Sequence, residues 1–467
     1  MKKNVTSSNK LEFQYSKFNR IDSKKHNLYD VLSDPKLDNI TINERLSILN
    51  SLVEDAQLNE MGNFLRYSSD GCSVVRNIFD PSLNKTINMI NFGSNDYLNM
   101  SQHPEVINAG IEALEKYGAG AGASCITTGQ TKVLIDLEKE IAETFEYESS
   151  LVYPCGYMAN TGVLGAMLKK NDVAVVDLFA HASILDGVES KNKMFFLHND
   201  MRSLETVLNR VNKQYVNKIV VVDGVYSMDG DIANLPDISG LCKKYGATLM
   251  VDEAHAFGVI GQNGLGILDH FNMKPESIDI LVGTLSKAVG CSGGFVTGKK
   301  ELINYLKLAS RPHFFTTAPF ISANASALTS IKIIKQDSNR RKQLWKNIDY
   351  FKSKLRLGNF NIGNSETAIC PIIIGNNNQV IEMSRLMGIK GVLTTGAVYP
   401  AVARKQARIR MTVTSQMTLE QIDESYLALC SSNEESQNRV DLDLIQNNLA
   451  KERIETYIKV NSLKSHI

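Results

Sequence analysis

A chain of 467 residues is long enough for a sizeable core and more than one domain. Its hydrophobic fraction of 43% and charged fraction of 22% are those of an ordinary globular protein in water. Lys and Arg number 51 against 50 Asp and Glu, a net charge of +1 that gives no global pull toward nucleic acid or an acidic membrane surface. Seven scattered cysteines with no CxxC pair read as reduced thiols, and no His stands near them at metal-ligand spacing. No metal site is expected. The opening residues are basic without the apolar stretch of a signal peptide, and no run approaches the ~18 apolar residues of a spanning segment. A cytoplasmic protein without a transmembrane segment is expected.

Four zones follow in chain order. Residues 1–85 are rich in Asn, Lys and Ser, with a helical pattern in which Ile42, Leu46, Leu49 and Val53 share a face. They read as a helical or irregular extension. Residues 86–325 alternate helix-like and strand-like segments. Lys218–Val222, Thr248–Val251 and Ile278–Val282 are short apolar runs of the kind buried in a parallel sheet, with helical segments such as Pro236–Tyr245 and Leu265–Phe271 between them. Residues 326–430 begin with a long helical stretch and then give short strands such as Ala368–Ile374, as in a smaller α+β domain. Residues 431–467 form a charged tail in which Leu442, Ile445 and Leu449 fit one helical face. The alternation argues for right-handed βαβ units and a mostly parallel α/β sheet, whose site lies beyond the carboxyl ends of the strands.

Three successive strand ends carry polar residues: Asp223 to Asp231, Asp252-Glu-Ala-His255 and Gly283-Thr-Leu-Ser-Lys287. An acid straight after an apolar strand is costly to bury unless a cation meets it, and a single case reads best as a cap or a satisfied turn. Three pointing to one crevice suggest a cofactor. A pyridinium nitrogen needs a carboxylate to stay protonated, and a Schiff-base lysine must reach the aldehyde from another strand. Asp252 and Lys287 meet those needs. The hydroxyls of Thr284 and Ser286, with Gly156 and Tyr157 opening a helix after the strand-like Ser150–Tyr153, suit a phosphate. The cofactor so described is pyridoxal 5'-phosphate (PLP). The glycine-rich Tyr117–Ser124 has a rival reading as a dinucleotide fingerprint, but it follows a helical pattern of Ile107, Ile111 and Leu114, so Gly118 reads as a helix C-cap.

Asn95-Asp-Tyr-Leu98, His181-Ala-Ser-Ile184, Asp223-Gly-Val-Tyr-Ser-Met-Asp-Gly230, Val251-Asp-Glu-Ala-His255 and Gly283-Thr-Leu-Ser-Lys287, in consistent order, resemble the α-oxoamine synthases. These fold-type-I PLP enzymes include 8-amino-7-oxononanoate synthase, glycine C-acetyltransferase and serine palmitoyltransferase. The resemblance covers about residues 88–430. It implies an aspartate-aminotransferase-like fold and acyl transfer from an acyl thioester, on CoA or a carrier protein, to an amino acid, usually with decarboxylation to an α-amino ketone. It implies Lys287 as the Schiff-base lysine and acid–base group, Asp252 on the pyridine nitrogen, and His255 and Ser227 near the phenolic oxygen. His181 would stack on the ring, and Gly156, Tyr157, Thr284 and Ser286 would bind phosphate. Thr317 would reach a partner subunit's phosphate in a homodimer with shared sites. Arg410, with Asn95, would take the substrate carboxylate, with Arg408 on the same strand as its rival.

Cys125 and Leu134 stand where the family often has an arginine and a histidine, and Val398 where serine palmitoyltransferases carry a further arginine. Two other readings stay open: a different fold-type-I PLP activity (aminotransferase or retro-aldolase), and a non-catalytic partner subunit.

Overall fold

The computed structural model describes residues 35–58, 65–81, 83–399 and 401–439. Leu442, Ile445 and Leu449 therefore lie outside the described residues. The first strands are β1 (Tyr67–Ser68), β2 (Val75–Asp80) and β3 (Lys85–Asn91). The large sheet follows with β4 (Ser149–Tyr153), β5 (Asp172–Asp177), β6 (Lys193–Phe196), β7 (Asn217–Asp223), β8 (Thr248–Asp252), β9 (Ile280–Thr284) and β10 (Gly294–Gly298). After two long helices come β11 (Ile369–Ile373), β12 (Val392–Leu393), β13 (Thr395–Ala397) and β14 (Arg408–Thr412).

The large sheet has the order β4-β10-β9-β8-β7-β5-β6. Strands β9, β8, β7, β5 and β6 pair in parallel, and β10 runs antiparallel to both its neighbours. Its central strands are apolar throughout because both faces are covered. On β7, Val220 and Val222 join one core cluster while Ile219 and Val221 join another. The helices Lys132–Thr144, Gly156–Met167 and Leu235–Tyr245 are among those that pack on it, and Ile321–Gln336 lies against Lys132–Thr144 and Pro104–Tyr117. A smaller antiparallel sheet, β11-β14-β13, carries Arg408 and Arg410 on its central strand, and β12 returns to pair in parallel with β3.

Two helical faces differ from their sequence pattern. The helix Ile42–Leu58 forms, but Ile42 and Leu46 are 72% and 59% exposed, and Leu52 is the residue buried against Leu37. Periodicity marks an apolar stripe without saying which side meets a partner. Likewise the helix Pro104–Tyr117 forms and ends on Gly118, at φ +80, yet Ile107, Ile111 and Leu114 are 42%, 49% and 47% exposed. After Gly118 the next helix is Lys132–Thr144, so the glycine-rich run neither follows a strand nor opens a helix. Among the described residues no helix is long and apolar enough to cross a membrane.

Candidate active site

The large sheet sets the site through a repeated local event: an apolar strand ends and a polar residue follows. Strands β5, β7, β8 and β9 end on Asp177, Asp223, Asp252 and Thr284. Beyond those ends lies a cavity of about 240 Å³ lined by residues that include Gly156, Tyr157, His181, Asp252, His255 and Lys287. Thr284 and Ser286 line it as well. Eight of the residues singled out from sequence are thus brought together.

Asp252 is 5% exposed and held by two donors, Ala254 N at 2.9 Å and Asn160 Nδ2 at 2.7 Å. The same Asn160 nitrogen donates to Ser183 Oγ at 2.9 Å, and that hydroxyl lies 2.8 Å from His181 Nδ1. Ser183 N also donates to Nδ1, so a neutral His181 carries its proton on Nε2. Burial, with Lys287 adding and Asp252 opposing, lowers His181 below its ordinary range. Burial and the positive Lys287 and Arg410 hold His255 well below the imidazole range. Its Nδ1 is 2.6 Å from the hydroxyl of Tyr97, a phenol that burial pushes up to about 12. Burial brings the Lys287 amine down to about 8, with Asp252 opposing. Asp223, beside Asp252, is pushed well above the carboxylate range by burial and by that neighbour's charge.

At the other end, the helix Gly156–Met167 opens on Gly156, and its first-turn N–H groups have no intrahelical acceptor. A Cβ at Gly156 would sit 3.0 Å from Thr284 Cβ, so glycine is what lets the helix start approach the Thr284–Ser286 turn. Thr284 Oγ1 and Ser286 Oγ are 2.8 Å apart. The Tyr157 hydroxyl donates to Asp186, which leaves its backbone N–H as the group it offers an anion.

Four residues lie outside the cavity lining. Three form one network: Arg410 Nε donates to the Ser227 carbonyl at 2.6 Å, Nη2 to Asn95 Oδ1 at 3.0 Å and Nη1 to Thr412 Oγ1 at 3.0 Å. Ser227 therefore contributes its backbone to Arg410. Arg408 is committed elsewhere, to Asp229 Oδ1 at 2.7 Å and the Met228 carbonyl at 3.0 Å. Thr317 is exposed, and its strand-like contact is with Ser124 of the glycine-rich segment.

The donor set fits PLP. A buried carboxylate, an amine of lowered basicity and an open helix N-terminus share one cavity, and Asn160 Oδ1 is buried there without a partner among the described residues. Sequence reading missed Asn160, Ser183 and Tyr97 as site residues.

A family model described as aminotransferase class I and II matches residues 87–429. The 8-amino-7-oxononanoate synthase of Thermoanaerobacter pseudethanolicus is 44% identical over 337 residues, 72% of this chain and 85% of that protein. The chain belongs to the α-oxoamine synthase family. Two solved structures extend the likeness. A serine palmitoyltransferase from S. paucimobilis, with bound PLP and myriocin, has a TM-score of 0.78 at 30% identity and covers 84% of this chain and 99% of its own. The 8-amino-7-oxononanoate synthase of Francisella tularensis has a TM-score of 0.65 at 25% identity, covering 75% and 99%. The fold is fold-type I, the cofactor is PLP, and the protein is an acyltransferase that joins an amino acid to an acyl thioester.

Proposed function

We propose that this α-oxoamine synthase condenses a small α-amino acid with an acyl thioester to give an α-amino ketone, using the residues that follow. The observation that carries the reading is the place of Tyr97 between two groups: its hydroxyl meets His255 of the Asp252–His255–Lys287 cavity, and the guanidinium of Arg410, held by Asn95, stands beside that same hydroxyl. When bound, PLP supplies the electron sink that makes the amino acid's Cα proton acidic. Asp252, oriented by Ala254 N and Asn160, would keep the ring nitrogen protonated. His255, with Nδ1 engaged by Tyr97, has Nε2 left and would offer it to the phenolic oxygen. His181, its angle set by the Asn160–Ser183 chain, would cover the ring. The N–H groups of Gly156 and Tyr157 and the hydroxyls of Thr284 and Ser286 would hold the phosphate. Arg410 and Asn95 grip the substrate carboxylate, which aims the Cα–H bond. The Lys287 Nζ takes that proton, and a basicity near 8 suits it to do so at neutral pH. Cys125 and Leu134 leave the glycine-rich segment without the cationic group the family often has there.

The name 8-amino-7-oxononanoate describes an alanine-derived amino ketone on a seven-carbon acyl chain ending in a carboxylate. We take alanine and that thioester as the first pair to test. Serine with long-chain thioesters is the second reading, favoured by the wider and closer match to the serine palmitoyltransferase structure. Titrating the PLP-loaded protein with single amino acids, then acyl thioesters of rising length, reads both choices from the cofactor's visible absorbance. Turnover of an amino acid to a keto acid with no thioester present would replace the acyl-transfer assignment by an aminotransferase one.

A homodimer fits the exposed Ile107, Ile111 and Leu114 face and the exposed Thr317, which would reach the partner's phosphate. Sedimentation should give twice the chain mass, and a monomer would remove that role from Thr317. We take residues 86–325 as the PLP-binding domain and 326–430 as the smaller one, with 1–85 and 431–467 as flanking extensions of a cytoplasmic enzyme.

The lowered basicity of Lys287 has a direct readout. Neutral amine is the form that captures PLP, so the capture rate of apoprotein should climb between pH 6.5 and 8 and level off just above about 8. An ordinary lysine would keep climbing toward about 10.4.

A further inference from the structure

His198, just after β6, lies outside the cavity but where three of the segments framing it meet. Its Nδ1 is 3.0 Å from Asp177 Oδ1 and its Nε2 2.9 Å from Asp231 Oδ2. An imidazole with a carboxylate at each nitrogen donates from both, which only the imidazolium does. Phe179 stacks on the ring with centroids 4.2 Å apart, and Tyr226 meets it edge-on at 4.4 Å. Asp177 is fully buried and also accepts from Phe179 N, Asn199 N and the Tyr226 hydroxyl, at 2.8, 2.9 and 2.9 Å.

On the other side, Asp231 closes a turn. Its carbonyl accepts from Tyr226 N at 3.1 Å, and Asn199 Nδ2 donates to the next carbonyl, that of Ile232, at 3.0 Å. The tip of the same turn presents the Ser227 carbonyl to Arg410 and Asp229 to Arg408. A cation beneath the turn and two guanidiniums above it thus grip one short segment.

We propose that His198 is a positioning residue for amino-acid binding: a cation clamped between Asp177 and Asp231 that sets the 226–231 turn and, through the Ser227 carbonyl, the guanidinium of Arg410. The inference rests on the reading that Arg410 takes the substrate carboxylate. Burial alone would lower the imidazolium, but the hydrogen bonds and charges of Asp177 and Asp231 outweigh it and hold His198 up at about 10. The titratable groups around it are Asp177 from β5, Asp231 and Tyr226 from the turn, and Asp223 beyond Tyr226.

Two substitutions split the clamp. His198→Asn keeps a donor toward Asp177 and loses the one toward Asp231, and His198→Gln does the reverse. His198→Asn should raise the KM for the amino acid about tenfold or more, with kcat and the thioester KM moving less than about threefold, the size of one or two lost hydrogen bonds. His198→Gln should recover much of that loss, because it keeps the link to the turn. The amino-acid dissociation constant from absorbance titration should follow the same order. An unchanged amino-acid KM in His198→Asn, or an equal change in all three constants, overturns the proposal. If the variants do not fold, nitrogen-15 NMR of histidine-labelled wild-type protein decides the clamp without any turnover. Both His198 ring nitrogens should be protonated at about pH 8.5, and a neutral ring there overturns it. If instead the NMR result holds and Arg410→Lys leaves the amino-acid KM unchanged, the fault lies in the reading of Arg410.

Discussion

Lys287→Ala lowers turnover by at least about 10⁴-fold, the upper end of what one acid–base group supplies, because it removes the covalent anchor and the proton acceptor together. The protein still folds: the lysine sits at a strand-end turn, and removing a buried amine that burial disfavours takes no apolar packing from the core. PLP still binds through the phosphate contacts and Asp252, with its absorbance returning to that of the free aldehyde. Steady-state rates, far-ultraviolet circular dichroism and a visible spectrum check the three parts. Full turnover in this variant would remove Lys287 from both roles and require another residue to anchor PLP and take the proton.

The second large effect separates two arginines on one strand. Arg410→Lys raises the amino-acid KM by about 10- to 150-fold, the equivalent of one charge-assisted hydrogen bond of about 1.5–3 kcal/mol. An ammonium cannot serve the Ser227 carbonyl, Asn95 and a carboxylate in the geometry that the guanidinium fork allows. Arg408→Lys behaves otherwise. Its guanidinium is 2% exposed and already paired with Asp229, so the variant loses about 1–3 kcal/mol of stability while the amino-acid KM stays within a few-fold. Kinetics with a thermal melt distinguish the two. If Arg408→Lys were the one that raised KM, the carboxylate site would have to be reassigned.

How much of this was legible in the sequence depends on what each signal encodes. Strands β7, β8 and β9 were readable within two residues because strands covered on both faces need unbroken apolar runs, and the residue after each run had to face the crevice. The reversed direction of β10 was not readable, since its composition is the same either way. Helix Ile42–Leu58 was readable as a helix but not in its orientation, which the position of Leu37 decides. Asn160 and Ser183 were missed because a polar residue on a helix looks the same whether it caps, faces solvent or orients a neighbouring side chain. Asp177 could have been found, since it follows Val173–Val176 as Asp252 follows Leu249–Val251. Its partner His198 carries no such mark, and only the fold brings it between two aspartates.

Every proposed residue role at the site depends on PLP attaching to Lys287. Borohydride reduction of the PLP-loaded protein, followed by digestion and mass spectrometry of the peptides, fixes and locates the covalent pyridoxyl group. A single modified site at Lys287 is the result predicted here. A modified lysine elsewhere, or none in a protein saturated with PLP, would contradict it.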